Sequence, residues 1–133
     1  MIKPINAGAS WPGVSMSTLV SEGDLLFLSG HCPLDADGNV IEGDFETQVR
    51  TVFDNLKASL AAAGVGFEAL AKTTVYLANF DDTMLPIYRK VRADYLNADC
   101  PPASALVVVA ALFDPAVLIE IEGIAVIPRQ ASK

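Results

Sequence analysis

The stretch from Leu118 to Val126 reads Leu-Ile-Glu-Ile-Glu-Gly-Ile-Ala-Val, and no other part of the chain restricts the fold as much. β-Branched residues at every second position mark a strand, whose successive side chains point to opposite faces. Ile119, Ile121 and Ala125 therefore share one face, and Leu118, Glu120, Glu122, Ile124 and Val126 share the other. The first face calls for helices packed against it. The second mixes carboxylates with apolar groups, which suits a subunit interface holding a polar pocket. A glutamate set between isoleucines is costly unless it is paired or does chemistry.

The helices that this strand requires are present. In segment 44–64, Phe45, Val49, Val52, Leu56, Leu60 and Ala63 recur at spacings of three and four, which gives one apolar stripe. Asp44 suits the N-cap, Glu46 the first turn and Gly64 the stop. A second helix is predicted from Asp81-Asp82 to about Leu96, with Met84, Ile87 or Tyr88, Val91 and Tyr95 as its stripe. Pro86 fits only in its first turn, where a missing N–H costs nothing.

Stretches 16–20 and 24–29, joined by Ser21-Glu22-Gly23, predict a β-hairpin. Segment 33–43, rich in Asp, Gly and Asn, is a loop. Residues 72–78 form a strand. The corner Asp99-Cys100-Pro101-Pro102 launches an unbroken apolar strand over 105–110, of the buried kind, and 117–127 is the last strand. The order β-β-α-β-α-β-β describes an α+β fold, a mixed sheet with two helices on one face. No linker or repeat interrupts it, so one domain over 1–133 is expected.

Composition narrows the function. Hydrophobic residues make up 52% of the 133 and charged residues 19%, with mean hydropathy +0.39, which excludes intrinsic disorder. That is apolar for a small domain and implies surface hidden in an oligomer. The net charge of −7 repels phosphate backbones and anionic lipids, so neither nucleic acid nor membrane is an expected partner. No apolar run approaches the ~20 residues of a bilayer span. The start, MIKPINAG, lacks the apolar core of a secretory signal. Two cysteines 68 residues apart read as free thiols of a cytoplasmic protein. With one histidine they cannot build a usual zinc site, and Asp35, Asp37 and Asp44 lack the closing Glu of a calcium loop, so no metal is expected.

Four segments together carry a resemblance: GDLLFLSGHCPLD (Gly23 to Asp35), QVRTVFDNLKASLAAAG (Gln48 to Gly64), KTTVYL (Lys72 to Leu77) and LIEIEGIAV (Leu118 to Val126). In this order the chain resembles the Rid family, the YjgF-type reactive intermediate deaminases, over about 16–126. The resemblance implies a homotrimer, with sheets closed around a three-fold axis, helices outside and small-molecule clefts between subunits. It also implies hydrolysis of reactive 2-imino or enamine acids to 2-oxo acids and ammonia, without a metal or organic cofactor.

Glu120 matches the family acid that positions or activates the attacking water. Burial without a partner would bring such a group toward general acid–base use. Ser104 falls where imine-hydrolysing members carry the carboxylate-binding Arg, when the chain is aligned by Pro102-Ala103, Val107, Ala110 and Leu112. A shift by one gives Ala103 or Ala105, and no register supplies an Arg. A neutral serine forgoes charged hydrogen bonds worth ~1.5–3 kcal/mol each. A carboxylate anchor would then have to come from Arg92 or Arg89 on the second helix. Met16 stands where the family has a Tyr, and the family's Ser-Gly-Gln becomes Ser29-Gly30-His31. Gly30, His31, Met16, Ser104 and Tyr88 are thus the expected substrate contacts around the catalytic Glu120.

Each of these residues has a structural alternative. Glu120 can be a carboxylate bonded across a subunit axis or to backbone amides, and Glu122 on the same face reads as structural. Ser104 can cap a turn, and His31 can be a satisfied structural imidazole. Cys32, alternating with His31, reads as core. Cys100 lies in a loop near the expected cleft with no adjacent base. The leading function is hydrolysis or deamination of a small imine, enamine or amide-like metabolite, with 2-imino acid turnover weakened by Ser104. The alternative is a non-catalytic metabolite-binding or protein-protecting trimer, and a ribonuclease comes third for want of a basic stripe.

Overall fold

The computed structural model describes residues 1–8 and 11–129. The chain runs β1 (Ile2–Ile5), β2 (Ser17–Val20), β3 (Asp24–His31), α1 (Phe45–Ala62), β4 (Leu70–Leu77), α2 (Met84–Ala93), β5 (Ala103–Val108) and β6 (Ile119–Ile127), with one 3-10 turn at Phe67–Ala69.

α1 begins where the capping residue places it. Asp44 Oδ1 accepts the Thr47 amide at 2.9 Å and the Thr47 hydroxyl at 2.7 Å. Gly64 takes φ +80° just past the helix end. Phe45, Val49, Val52, Leu56 and Leu60 are buried as their spacing requires, and Phe53 and Gln48 join them. Gln48 ties α1 to the entry of β6: its Nε2 donates to Ala116 O (2.7 Å) and its Oε1 accepts from Leu118 N (2.9 Å). α2 is shorter than predicted and ends at Ala93. Pro86 falls in its first turn, and Tyr88 rather than Ile87 turns inward. Tyr95, beyond the helix end, stacks on Phe53 with ring centroids 5.0 Å apart.

The main sheet has the order β3-β6-β4-β5. β6 is antiparallel to both neighbours, and β4 and β5 are parallel across the α2 crossover. Both helices pack on one face, against Val75, Leu77, Ile119 and Ile121. This is the mixed α+β architecture expected from the sequence.

Three expectations need correction. The stretches around 16–20 and 24–29 do not pair as a hairpin. β2 pairs with β1, a strand the sequence reading missed, and β3 pairs with β6. Pro4 in β1 is tolerated because a two-stranded ribbon leaves outer edges where its lost N–H is not needed. Gly23, at φ +120°, sits where a Cβ would be 2.5 Å from Val126 Cγ1, so it lays β3 beside the end of β6 instead of folding it back on β2. Second, the apolar strand β5 starts at Ala103 and lies at the sheet edge, with Leu106, Val107 and Val108 exposed where a buried strand was expected. Third, of the residues assigned to the Glu120 face, Leu118 precedes β6 and packs against the core cluster.

Candidate functional site

The site grows from one irregularity in β3. Leu28 pairs with Gly123, but His31 pairs with Ile121, so β3 spends one residue more than β6 between these points. Such a bulge reverses which face each later side chain takes. Leu26 and Leu28 face the helices; past the bulge, Gly30 and Cys32 lie instead against Glu120, which alternates with the buried Ile119 and Ile121.

Cys32 Sγ donates to Glu120 Oε1 at 2.9 Å. Burial, then that hydrogen bond and the charge of Glu120, push the thiol up to about 12, so Cys32 stays a protonated donor and not a nucleophile. No other hydrogen bond reaches Glu120 among the described residues, which leaves Oε2 open to a ligand or water. Gly30 closes the other side. A Cβ there would stand 2.7 Å from Glu120 Cδ, so only glycine lets the carboxylate lie flat against the strand. The reading of Cys32 as core is correct for its burial and wrong for its direction, and the bulge is the reason.

Tyr76 on β4 lies directly opposite Glu120, and its hydroxyl donates to Glu122. That bond, with burial and the charges of both glutamates, holds the phenol above its ordinary range. Glu122 thereby has a structural partner. The open face thus presents two carboxylates, one bridged to a phenol and one held by a thiol.

The remaining expected contacts are dispersed. Ser104 pairs with Thr73, whose hydroxyl donates to it at 2.9 Å, on the helix-covered face opposite Glu120. The bridge between Ser15 and Ala103 puts Met16, half exposed, on a segment adjoining Ser104. His31 points to α1: Nδ1 lies 2.6 Å from Ser29 O and Nε2 2.6 Å from Ser59 Oγ. A carbonyl can only accept, so Nδ1 carries the proton and Nε2 takes the Ser59 hydroxyl, and both nitrogens are engaged. Tyr88 is buried on α2, stacked on Phe53. Cys100 lies beside β1, 3.9 Å from Ile2 O. The structure therefore gathers Gly30 and Glu120, adds Cys32 and Tyr76, and places Ser104, Met16, His31 and Tyr88 elsewhere. Strand alternation was a sufficient signal for Tyr76; the sequence carries none for the bulge that turns Cys32.

Among the described residues, no cluster of three or more His, Cys, Asp or Glu side chains is placed to hold a metal, and no helix is long and apolar enough to cross a membrane. The family model described as endoribonuclease L-PSP matches residues 10–127. A RutC family protein of Pyrococcus horikoshii is 38% identical over 110 residues, covering 82% of this chain and 84% of its own. Among solved structures, a Rid family protein of Yersinia pestis superposes with TM-score 0.86 at 29% identity, covering 95% of this chain and 98% of that one. RidA from an Antarctic Psychrobacter superposes with TM-score 0.70 at 31% identity, covering 95% and 98%. With the mixed sheet, the two helices on one face and the match over nearly its whole length, the chain belongs to the YjgF/Rid family.

Proposed function

We propose that this protein hydrolyses the carbon–nitrogen bond of a small imine, enamine or amide-like metabolite, as a homotrimer of single-domain chains and without a cofactor. The observation that carries this reading is Glu120: a carboxylate on the open sheet face, one oxygen fixed by Cys32, the other accessible, and a glycine in place of any side chain beside it. For an imine, Glu120 takes a proton from water as the water oxygen bonds to the imine carbon. The proton passes to nitrogen to give a carbinolamine; Glu120 then takes the carbinolamine hydroxyl proton and returns it to the nitrogen as the carbon–nitrogen bond breaks, so that ammonia leaves behind a carbonyl. Within one protomer Glu120 and Ser104 occupy opposite faces, so a ligand touching both would lie between copies. The exposed Leu25 and Phe27 on the face of Glu120 favour such an association.

Charged 2-imino acids are poor substrates in this reading, because the face of Glu120 carries two carboxylates and Ser104 offers no charge. The same two carboxylates, with the −7 net charge, disfavour an RNA-cleaving activity despite the family model's description. The test is ammonia release from a panel of neutral and carboxylate-bearing imines, enamines and amides. Turnover of neutral members that falls ~10²–10⁴-fold in Glu120→Gln supports the proposal. A panel with no turnover supports the metabolite-binding alternative instead.

A further inference from the structure

The only histidine of the chain plays no part in the Glu120 site, yet both of its ring nitrogens are held. The bulge in β3 precedes His31, whose ring turns toward α1. Asn55, one turn of α1 before Ser59, clamps the chain just beyond it. Its Nδ2 donates to Cys32 O and to Leu34 O, both at 3.0 Å. His31 Nδ1 gives its proton to Ser29 O at 2.6 Å, which leaves the lone pair of Nε2 facing Ser59 Oγ, also at 2.6 Å. His31 and Ser59 are both half-buried.

Ser59 uses its hydroxyl differently from its neighbour on the same helix. A serine or threonine inside a helix can donate to the carbonyl one turn back, as Thr51 does to Thr47 O at 2.9 Å. Ser59 donates to an imidazole nitrogen instead, and no other hydrogen bond reaches its oxygen among the described residues. A hydroxyl whose proton points at a neutral imidazole of fixed tautomer is the pairing that makes serine nucleophilic. Here the carbonyl of Ser29 orients the ring, as the carboxylate of a triad does, without supplying its charge.

We propose that Ser59 is an acylation site, activated by His31, that accepts a small acyl group from an activated ester. Ser59 Oγ bonds to the ester carbonyl carbon as its proton passes to His31 Nε2. The tetrahedral intermediate collapses, the bond from carbon to the leaving oxygen breaks, and the proton on Nε2 goes to that oxygen. The products are acyl-Ser59 and the free alcohol or phenol. The site does not depend on the hydrolase reading. α1 packs on the face of the sheet opposite Glu120, so association through the open face does not cover Ser59.

The probe is p-nitrophenyl acetate, added to the full-length protein. The expected result is a burst of p-nitrophenolate stoichiometric with the chains, and an acetyl group that peptide mass spectrometry places on Ser59. Ser59→Ala should remove both, and alanine is the residue a helix tolerates best. His31→Gln keeps a hydrogen-bond acceptor for Ser59 but no base, and should slow acetylation ~10²–10⁴-fold. Glu120→Gln should be acetylated at the parent rate, which separates failure here from failure of the hydrolase reading. No acetyl group on Ser59, acetylation confined to lysine, cysteine or histidine side chains, an unchanged rate in His31→Gln, or a slowed one in Glu120→Gln overturns the assignment.

Discussion

On the helix-covered side of the sheet, Val75, Leu77, Ile119 and Ile121 are at most 1% exposed, while on the other side Leu25 and Phe27 are 55% and 71% exposed next to Glu120 and Glu122. The same strands serve both faces. The covered face finds all its partners within the chain and sets the stability of the fold. The open face holds polar groups with partly used hydrogen-bonding capacity among apolar side chains that gain nothing from water. Covering one phenylalanine there is worth about 1.5–3 kcal/mol, so the proposed association and the proposed chemistry fall on the same surface. Substitutions on the two faces should therefore be felt by different measurements.

The largest effect on stability is expected from the covered face. Leu56→Ala removes a side chain 1% exposed in the centre of the core cluster and should lower unfolding free energy by about 2–5 kcal/mol in urea titrations. A change below 1 kcal/mol would break the contrast. On the open face, Gly30→Ala should reduce turnover about 10²-fold, because an ångström of displacement at Glu120 is enough to do so, with little change in melting temperature. Equal losses in both readouts would mean that Gly30 serves the core instead.

Cys32 sharpens the comparison further. Cys32→Ser keeps a donor on Glu120 and should hold activity within a few-fold, while Cys32→Ala loses one hydrogen bond to a charged group and should cost about tenfold. If the two variants lose the same activity, packing and not the donor matters. The smallest effect belongs to the cap of α1. The Thr47 amide and hydroxyl hold the Asp44 carboxyl below the usual carboxylate range. Its contribution is therefore complete above the ordinary pKa and is lost as pH falls through the lowered value. Asp44→Ala should lower the melting temperature slightly at neutral pH, and the gap to the parent protein should close on acidification.

The covered face was legible in the sequence because its signals are periodic. The stripe from Phe45 to Leu60 and the alternation of Ile119 with Ile121 each repeat one burial pattern, and Asp44 marks where the first stripe starts. Glu120 stood out for the opposite reason, as a charge inside such a pattern. What stayed hidden depends on pairing. Ser21-Glu22-Gly23 has turn chemistry, yet hydrogen-bond partners assigned β2 to Ile2–Ile5 and β3 to β6. The bulge after Leu28 is a register event between distant strands, so it moved Cys32 to Glu120 and His31 to Ser59 without a local mark. Ser104 was placed by counting along a motif, and counting does not say which face of β5 a side chain takes.

The central claim is that the open face of β3 and β6 joins copies of the chain into the working unit. Sedimentation equilibrium at micromolar concentration tests it most directly, on the parent protein and on Phe27→Asp. The parent should sediment at three times the 14.1 kDa of one chain, and Phe27→Asp at 14.1 kDa with unchanged far-ultraviolet circular dichroism. A parent protein that sediments at 14.1 kDa would contradict the account.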